Sequence, residues 1–349
     1  MLPPFLTTRA LLLATTAVLA TVAHRWPMLL WDQWDSRWYL GVAAHGYHWS
    51  LDGKSSLAFF PLYPLLLRVG DALGLPPVVV GLLVSNIAFA GALFYLHRLI
   101  AGRWGTTRAT RAVWLISLFP TAFFTFAPYT DSLFLLCAAA TLYYARRQEP
   151  LQAGLWLAAA VLCRSTGAIL VPVMLVAFND HRRLRFYALS LAPGCCAILA
   201  YAAYLGRQHF SLLAVPAAQV DWHRAFTLPW TGFTSSVAWL AAHGEAHMAW
   251  SVENLLSIVV TVVFLGLTVV AWRHLDPQIA VYCAGFWLLV LTSPEWLNGY
   301  YAPFSSMDRL VLALFPLAGW VAARLPLGKF RLLACSFALL MVGAATVHM

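Results

Sequence analysis

The sequence predicts an all-α, polytopic transmembrane helical bundle, and three observations predict it. Of 349 residues, 62% are apolar and only 10% are charged. Apolar runs approaching the roughly 20 residues that a spanning helix needs recur along the whole chain. The segments between them leave no polar stretch of about 100 residues from which a second, soluble core would be built. One membrane-embedded unit over residues 1–349 is therefore expected, with about eleven membrane helices and no fewer than nine.

The apolar windows fall near 9–30, 75–96, 111–129, 130–145, 151–163, 166–178, 185–206, 252–272, 278–293, 308–323 and 331–347. The first, following Arg9 and ending near Ala23, fits either a signal anchor or a cleaved leader with a Thr-Val-Ala site, and the many spans behind it favour the anchor. Windows 151–163 and 166–178 each reach only about 20 Å at 1.5 Å per residue, and so read as half-depth helices meeting at the turn Cys163-Arg164-Ser165. All six cysteines lie in apolar stretches and read as small core residues rather than a disulfide framework.

The net charge of +9 reads as cytoplasmic-loop charge rather than nucleic-acid binding. With a cytoplasmic N-terminus, most Lys and Arg, including Arg9, Arg98, Arg103, Arg146, Arg182, Arg273 and Arg324, fall inside. Among the acids only Glu149, Asp180 and Asp276 do so. The two long connections, 25–74 and 207–251, then lie outside, where loops on a rigid scaffold carry chemistry. A multi-pass protein of the cell membrane with its site facing the periplasm or exterior follows.

The first of these connections is the richer. At about 100° per residue, Trp31, Trp34 and Trp38 share one stripe with Asp32 and Asp35 along its flank, as in a helix lying at headgroup depth. Two readings of the aspartates stand: carboxylates that merely solvate an anchoring helix, or a crowded pair at a low-dielectric boundary poised for proton transfer. Next, Phe59-Phe60-Pro61-Leu62-Tyr63-Pro64 is an apolar run broken by prolines. It suits a corner where the chain turns into the bilayer, or the rim of a groove for a lipid tail.

The order of these segments resembles the PIG-V family, the GPI mannosyltransferases that add the second mannose, and especially its shorter bacterial relatives. Gln33-Trp34-Asp35-Ser36-Arg37-Trp38-Tyr39 with Ala44-His45-Gly46-Tyr47 is similar to that family's Trp-Asp loop and His-Gly-Tyr element. Ala58 to Pro64 is similar to its Phe-Phe-Pro block. Pro128-Tyr129-Thr130-Asp131-Ser132-Leu133-Phe134, Cys163-Arg164-Ser165-Thr166-Gly167 and Ser306-Met307-Asp308-Arg309 match its later turns. Asp131 stands where the family carries Glu, and Leu310 where it carries Tyr, which bears on the sugar and acceptor more than on the reaction. The resemblance implies a GT-C fold with a catalytic first outer loop and a polyprenyl-phosphate sugar donor such as the phosphomannose form. It also implies substrate contacts from Trp34, Trp38, Tyr39, His45, Tyr47, Phe60, Tyr63, Tyr129, Asp131 and Asp308. Independently, the chain has no glycine-rich phosphate loop.

In an inverting transfer, one carboxylate takes the acceptor's hydroxyl proton while the lipid phosphate departs from the opposite face of the sugar. The resemblance makes Asp35, the aspartate that best aligns with the family's motif, the expected base, with Asp32 the second choice. Arg164 and Arg309, at predicted outer ends of spans, are expected to hold the phosphate, with Arg37 and Lys54 behind them. The bland alternative pairs those arginines with Asp131 or Asp308, or lets them snorkel to headgroups. No cofactor and no metal is expected: in His243-Gly244-Glu245-Ala246-His247 the Glu is displaced from the zinc-protease position, and solvated histidines are the default. Trp222, Trp230, Trp239 and Trp250 of the second connection read as interfacial packing or a sugar platform. The partners are then the polyprenyl-phosphate donor, membrane lipids and a glycolipid, glycan or protein acceptor, with no nucleic acid. A transporter or flippase of lipid-linked saccharides is the alternative from another class, although the chain shows no internal repeat.

Overall fold

A computed structural model describes residues 2–49, 54–178, 184–243, 248–297, 300–301 and 303–349. Among the described residues the regular elements are helices, apart from a two-residue antiparallel ladder pairing Trp296 with Tyr301 and an isolated bridge between Arg224 and Glu295. In order, the helices are α1 (Leu2–Ala23), α2 (Asp35–His45), α3 (Leu62–Asp71), α4 (Pro77–Trp104), α5 (Thr106–Ser117), α6 (Asp131–Arg146), α7 (Pro150–Cys163) and α8 (Leu170–Ala177). They continue as α9 (Leu184–Arg207), α10 (Ala214–Asp221), α11 (Thr231–His243), α12 (Met248–Ala271), α13 (Pro277–Thr292), α14 (Met307–Leu310), α15 (Pro316–Arg324) and α16 (Leu327–His348).

Among the described residues, five segments are long and apolar enough to cross a membrane: Leu2–Ala23, Pro77–Trp104, Leu184–Arg207, Ser251–His274 and Leu327–His348. Their apolar surface is largely not covered by protein. In α16 only 11% of the most apolar window is buried, and Leu332, Leu339 and Leu340 stand exposed. An apolar face of that extent is stable against lipid and not against water. The chain is a multi-pass membrane protein.

Several expectations change in the structure. The apolar window 111–129 is not one helix: α5 stops at Ser117, Pro120 follows, and a short 3₁₀ turn at Ala122–Thr125 precedes Asp131, since proline removes a backbone donor. The window 308–323 is likewise divided into α14, a 3₁₀ turn and α15, which has Pro316 in its first turn. The count of eleven spans is thus not reached by helices of spanning length. Windows 151–163 and 166–178 do break at Arg164, giving α7, a 3₁₀ turn at Ser165–Ile169, and α8.

Arg9 is no loop residue either. It is buried in α1, donating to Asn86 Oδ1 (2.8 Å) and to Thr125 O (2.9 Å) and Oγ1 (3.0 Å), with its guanidinium 4.2 Å from the centre of the Phe89 ring. Of the cysteines, Cys137, Cys163 and Cys283 are core residues, whereas Cys195, Cys196 and Cys335 are exposed on helices of spanning length.

Two ends of the bundle are chemically distinct. At one end Asp276, the residue before α13, pairs with Arg103 of α4 and with Arg146 of α6 (3.4 Å). Arg146 also donates to Leu99 O (3.0 Å) and to Gly102 O (3.4 Å) near the end of α4. Asp131 begins α6 at its other end, about 24 Å away for 16 residues. Around that end lies the site.

Candidate active site

The site is assembled from turns. Asp35 opens α2 immediately after Trp34, whose φ of 49° is an uncommon conformation for a residue with a side chain. The chain therefore breaks between Trp31, which ends a 3₁₀ turn and is fully buried with its indole N–H on Thr16 Oγ1 (3.1 Å), and Trp34, which is 73% exposed. The expected stripe of Trp31, Trp34 and Trp38 on one interfacial helix is corrected accordingly. Asp32 and Asp35 are not a repelling pair: Asp32 Oδ1 accepts from Ser36 Oγ (2.7 Å), while Asp35 Oδ2 accepts from Arg309 Nη1 (2.7 Å).

Arg164 sits in extended backbone between α7 and the following 3₁₀ turn, which folds back so tightly that Gly167 N donates to Arg164 O (2.9 Å). A Cβ at Gly167 would lie 2.3 Å from the Ala160 carbonyl oxygen, so only glycine fits that turn. Arg309 lies within α14, three residues after Ser306, which has φ 60°.

These turns converge on Asp131. Arg309 Nε donates to both of its carboxylate oxygens (3.1 Å each) and Nη2 to Oδ2 (2.7 Å), while Arg164 Nη1 donates to Oδ1 (3.0 Å). Arg309 thus bridges Asp131 and Asp35, with its guanidinium 4.6 Å from the Tyr129 ring centre and 4.8 Å from that of Phe124. The position of Asp131 in the first turn of α6 adds the favourable end of the helix dipole. Ser132 Oγ donates to Thr125 O (2.7 Å), the same carbonyl that Arg9 grips, so a buried cation from α1 braces the floor of the cluster.

Beside this cluster is a cavity of about 190 Å³ whose wall includes Asp35, Tyr39, Phe60, Arg164, Ser306 and Arg309. It draws residues from both long connections, because Gln219, Trp222 and Arg224 complete it together with Glu295. Tyr39 is buried, with its hydroxyl 3.0 Å from Thr130 Oγ1. Tyr47 is buried too and donates to Phe59 O (2.7 Å). Burial pushes both phenols above their usual range, keeping them protonated. Next to the cavity, across Phe60–Pro61 and Leu162–Cys163, lies an apolar groove of about 200 Å³ lined by residues including Tyr47, Pro61, Pro64, Ala200 and Tyr201. One wall of that groove is α9, a helix of spanning length.

The other expected site residues are placed as follows. Tyr129 lies behind the cavity, donating to Gln33 O (2.8 Å), and Trp38 stacks on Phe59 with ring centres 5.5 Å apart. Lys54 is at the rim, its Nζ 5.0 Å from the Trp222 ring centre. Tyr63 is buried in the bundle, donating to Gly81 O (2.9 Å). Asp32, Trp34, His45, Arg37 and Asp308 do not line the cavity. Arg37 donates to Asp32 O and Gln33 Oε1, His45 is exposed at the end of α2, and the Asp308 carbonyl accepts from Thr121. Of the His-Gly-Glu-Ala-His segment, Glu245 and His247 lie outside the described residues, as do Asp180, Arg182 and Arg183. Missed in the sequence were Arg224, Glu295 and Gln219, which carry no local motif.

The family model for mannosyltransferase (PIG-V) matches residues 4–193, more than half of the chain. This chain belongs to the PIG-V mannosyltransferase family. No curated protein and no solved structure matches it. The matched stretch of this PIG-V family glycosyltransferase contains Asp35, Asp131 and Arg164, whereas Arg224, Glu295 and Arg309 lie beyond it. Tertiary packing alone unites the two groups.

Proposed function

We propose that the chain is an inverting glycosyltransferase of GT-C type that moves a sugar, mannose above all, from a polyprenyl-phosphate donor to an acceptor hydroxyl. Its cavity faces the periplasm or exterior of a bacterial inner membrane. The observation that carries this reading is a charged cavity, lined by Asp35, Glu295 and three arginines, lying next to an apolar groove bounded by a helix of spanning length. A donor with a hydrocarbon tail and a charged head has that shape. The placing of Arg103, Arg146 and Asp276 at the opposite end of the bundle supports the orientation, since basic clusters favour the cytoplasmic side.

Asp35 is the base. Its Oδ2 is held by Arg309, which fixes the direction of the carboxylate, and the acceptor's hydroxyl proton passes to the oxygen Arg309 does not engage. The acceptor oxygen forms its bond to the anomeric carbon as the bond from that carbon to the phosphate oxygen breaks. The lipid phosphate leaves with the electron pair, and the configuration inverts.

The test is sugar transfer from labelled polyprenyl-phosphate mannose by purified protein. General base help contributes about 10²- to 10⁴-fold, so Asp35→Asn loses that factor in kcat, while Asp32→Ala, which removes one hydrogen bond outside the cavity, stays within a few fold. Equal rates for Asp35→Asn and wild type would overturn the assignment.

A further inference from the structure

The cavity has a second charged wall, facing the Asp35 cluster, that the reaction scheme above does not use. Arg224 follows His223, which has φ 56°, as Asp35 follows Trp34 with its positive φ. The backbone of Arg224 is bridged to that of Glu295, and the side chains pair across the bridge, with Nη2 3.2 Å from Oε2. Trp222 presents its ring to Lys54 at 5.0 Å and donates its indole N–H to Ser55 O (3.0 Å), so this wall is also tied to the first long connection.

The two walls differ in how firmly their cations are held. Arg309 gives Nε, Nη1 and Nη2 to two carboxylates and is 10% exposed, and Arg164 is tied to the same buried Asp131. Withdrawing Arg309 would strand a buried acid, which is strongly unfavourable. Arg224 makes one carboxylate contact and is 38% exposed, so its partner is exchanged at little expense. The departing lipid phosphate gains negative charge as the glycosidic bond breaks, and a guanidinium fork suits it.

We propose that Arg224 is the residue that binds the donor's lipid phosphate, and that it does so by exchanging Glu295 for the phosphate. Arg309 and Arg164 then serve to hold Asp131 and aim Asp35. Glu295 occupies the phosphate position in the empty enzyme and swings free when donor enters. The inference rests on the reading of the donor as a polyprenyl phosphate.

The experiment measures binding of farnesyl phosphate, and of farnesol as the uncharged control, to full-length protein in nanodiscs. Arg224→Gln is expected to weaken farnesyl phosphate about ten- to a hundred-fold, the effect of losing a hydrogen-bonded charge contact, with Arg224→Lys recovering part of it. Glu295→Gln is expected to tighten the phosphate about two- to five-fold, because it removes a competing exposed partner. Farnesol affinity stays unchanged in all three, which also reports that the groove is folded. Unchanged farnesyl phosphate binding in Arg224→Gln overturns the proposal. So does weakening by Glu295→Gln, which would make the pair a structural brace, and this arm decides alone should Arg224→Gln fail to fold. Wild-type transfer of mannose from polyprenyl phosphate, with Arg224→Gln at the wild-type donor KM, sinks this inference and leaves the proposed reaction standing. Absence of transfer or of farnesyl phosphate binding in the wild type sinks both.

Discussion

Asp131 is the acid on which the cluster depends, and replacing it by Asn isolates its charge. Four N–H···O contacts from two guanidinium groups reach its carboxylate, at 2.7–3.1 Å. Asn keeps one acceptor oxygen and turns an NH₂ toward a guanidinium, so at least part of this set is lost: Arg164 loses its carboxylate partner and Arg309 is left with Asp35. Breaking a buried pair by removing one partner destabilises by about 3–5 kcal/mol. Side-chain exposures of 6% for Asp131 and 10% for Arg309 place the pair in that class. Asp35→Asn removes one contact to a carboxylate that is 31% exposed, and about 1 kcal/mol or less is expected. Thermal unfolding of purified protein should therefore show a large fall for Asp131→Asn and a small one for Asp35→Asn. Activity falls in both, in the first because Arg309 no longer holds Asp35 in place. The double variant should be non-additive, since both acids share Arg309. An Asp131→Asn protein with the unfolding midpoint and rate of the wild type would refute the reasoning.

Two further outcomes follow from the walls of the site. Gly167→Ala places a methyl 2.3 Å from the Ala160 carbonyl oxygen, so the Arg164 turn must open. A stability loss of about 1–3 kcal/mol with reduced turnover is expected in unfolding and rate assays, and a neutral Gly167→Ala would show that the turn has slack. Ala200→Trp fills the apolar groove beside Tyr201. Because a buried hydrocarbon tail contributes roughly 25 cal/mol per Å², KM for a long-chain donor should rise by about tenfold or more. KM for a donor carrying one isoprene unit should stay put, and equal effects on both would place the tail elsewhere.

Much of the fold was legible because lipid imposes a coarse rule: every spanning segment must be apolar and satisfy its own backbone. That rule located α1, α4, α9, α12 and α16 by composition. It failed at 111–129 and 308–323, where apolarity persists while Pro120 and Pro316 interrupt the helix. Buried protein neighbours in those stretches do what a continuous helix would otherwise do for the backbone. Hydropathy does not distinguish the two.

At the site, the sequence marked Arg164 and Arg309 because charges beside apolar runs are rare enough to stand out, and marked Asp35 and Asp131 through motifs that resemble those of the PIG-V family. It left open whether the arginines bind a ligand or bind acids. Only the tertiary structure decided that Arg309 reaches across to both Asp35 and Asp131, and that Arg224 and Glu295 complete the wall. Contacts between residues as far apart as 35 and 309 are set by how the helices pack. Pairing energies depend on distance and burial, which no local pattern of residues encodes.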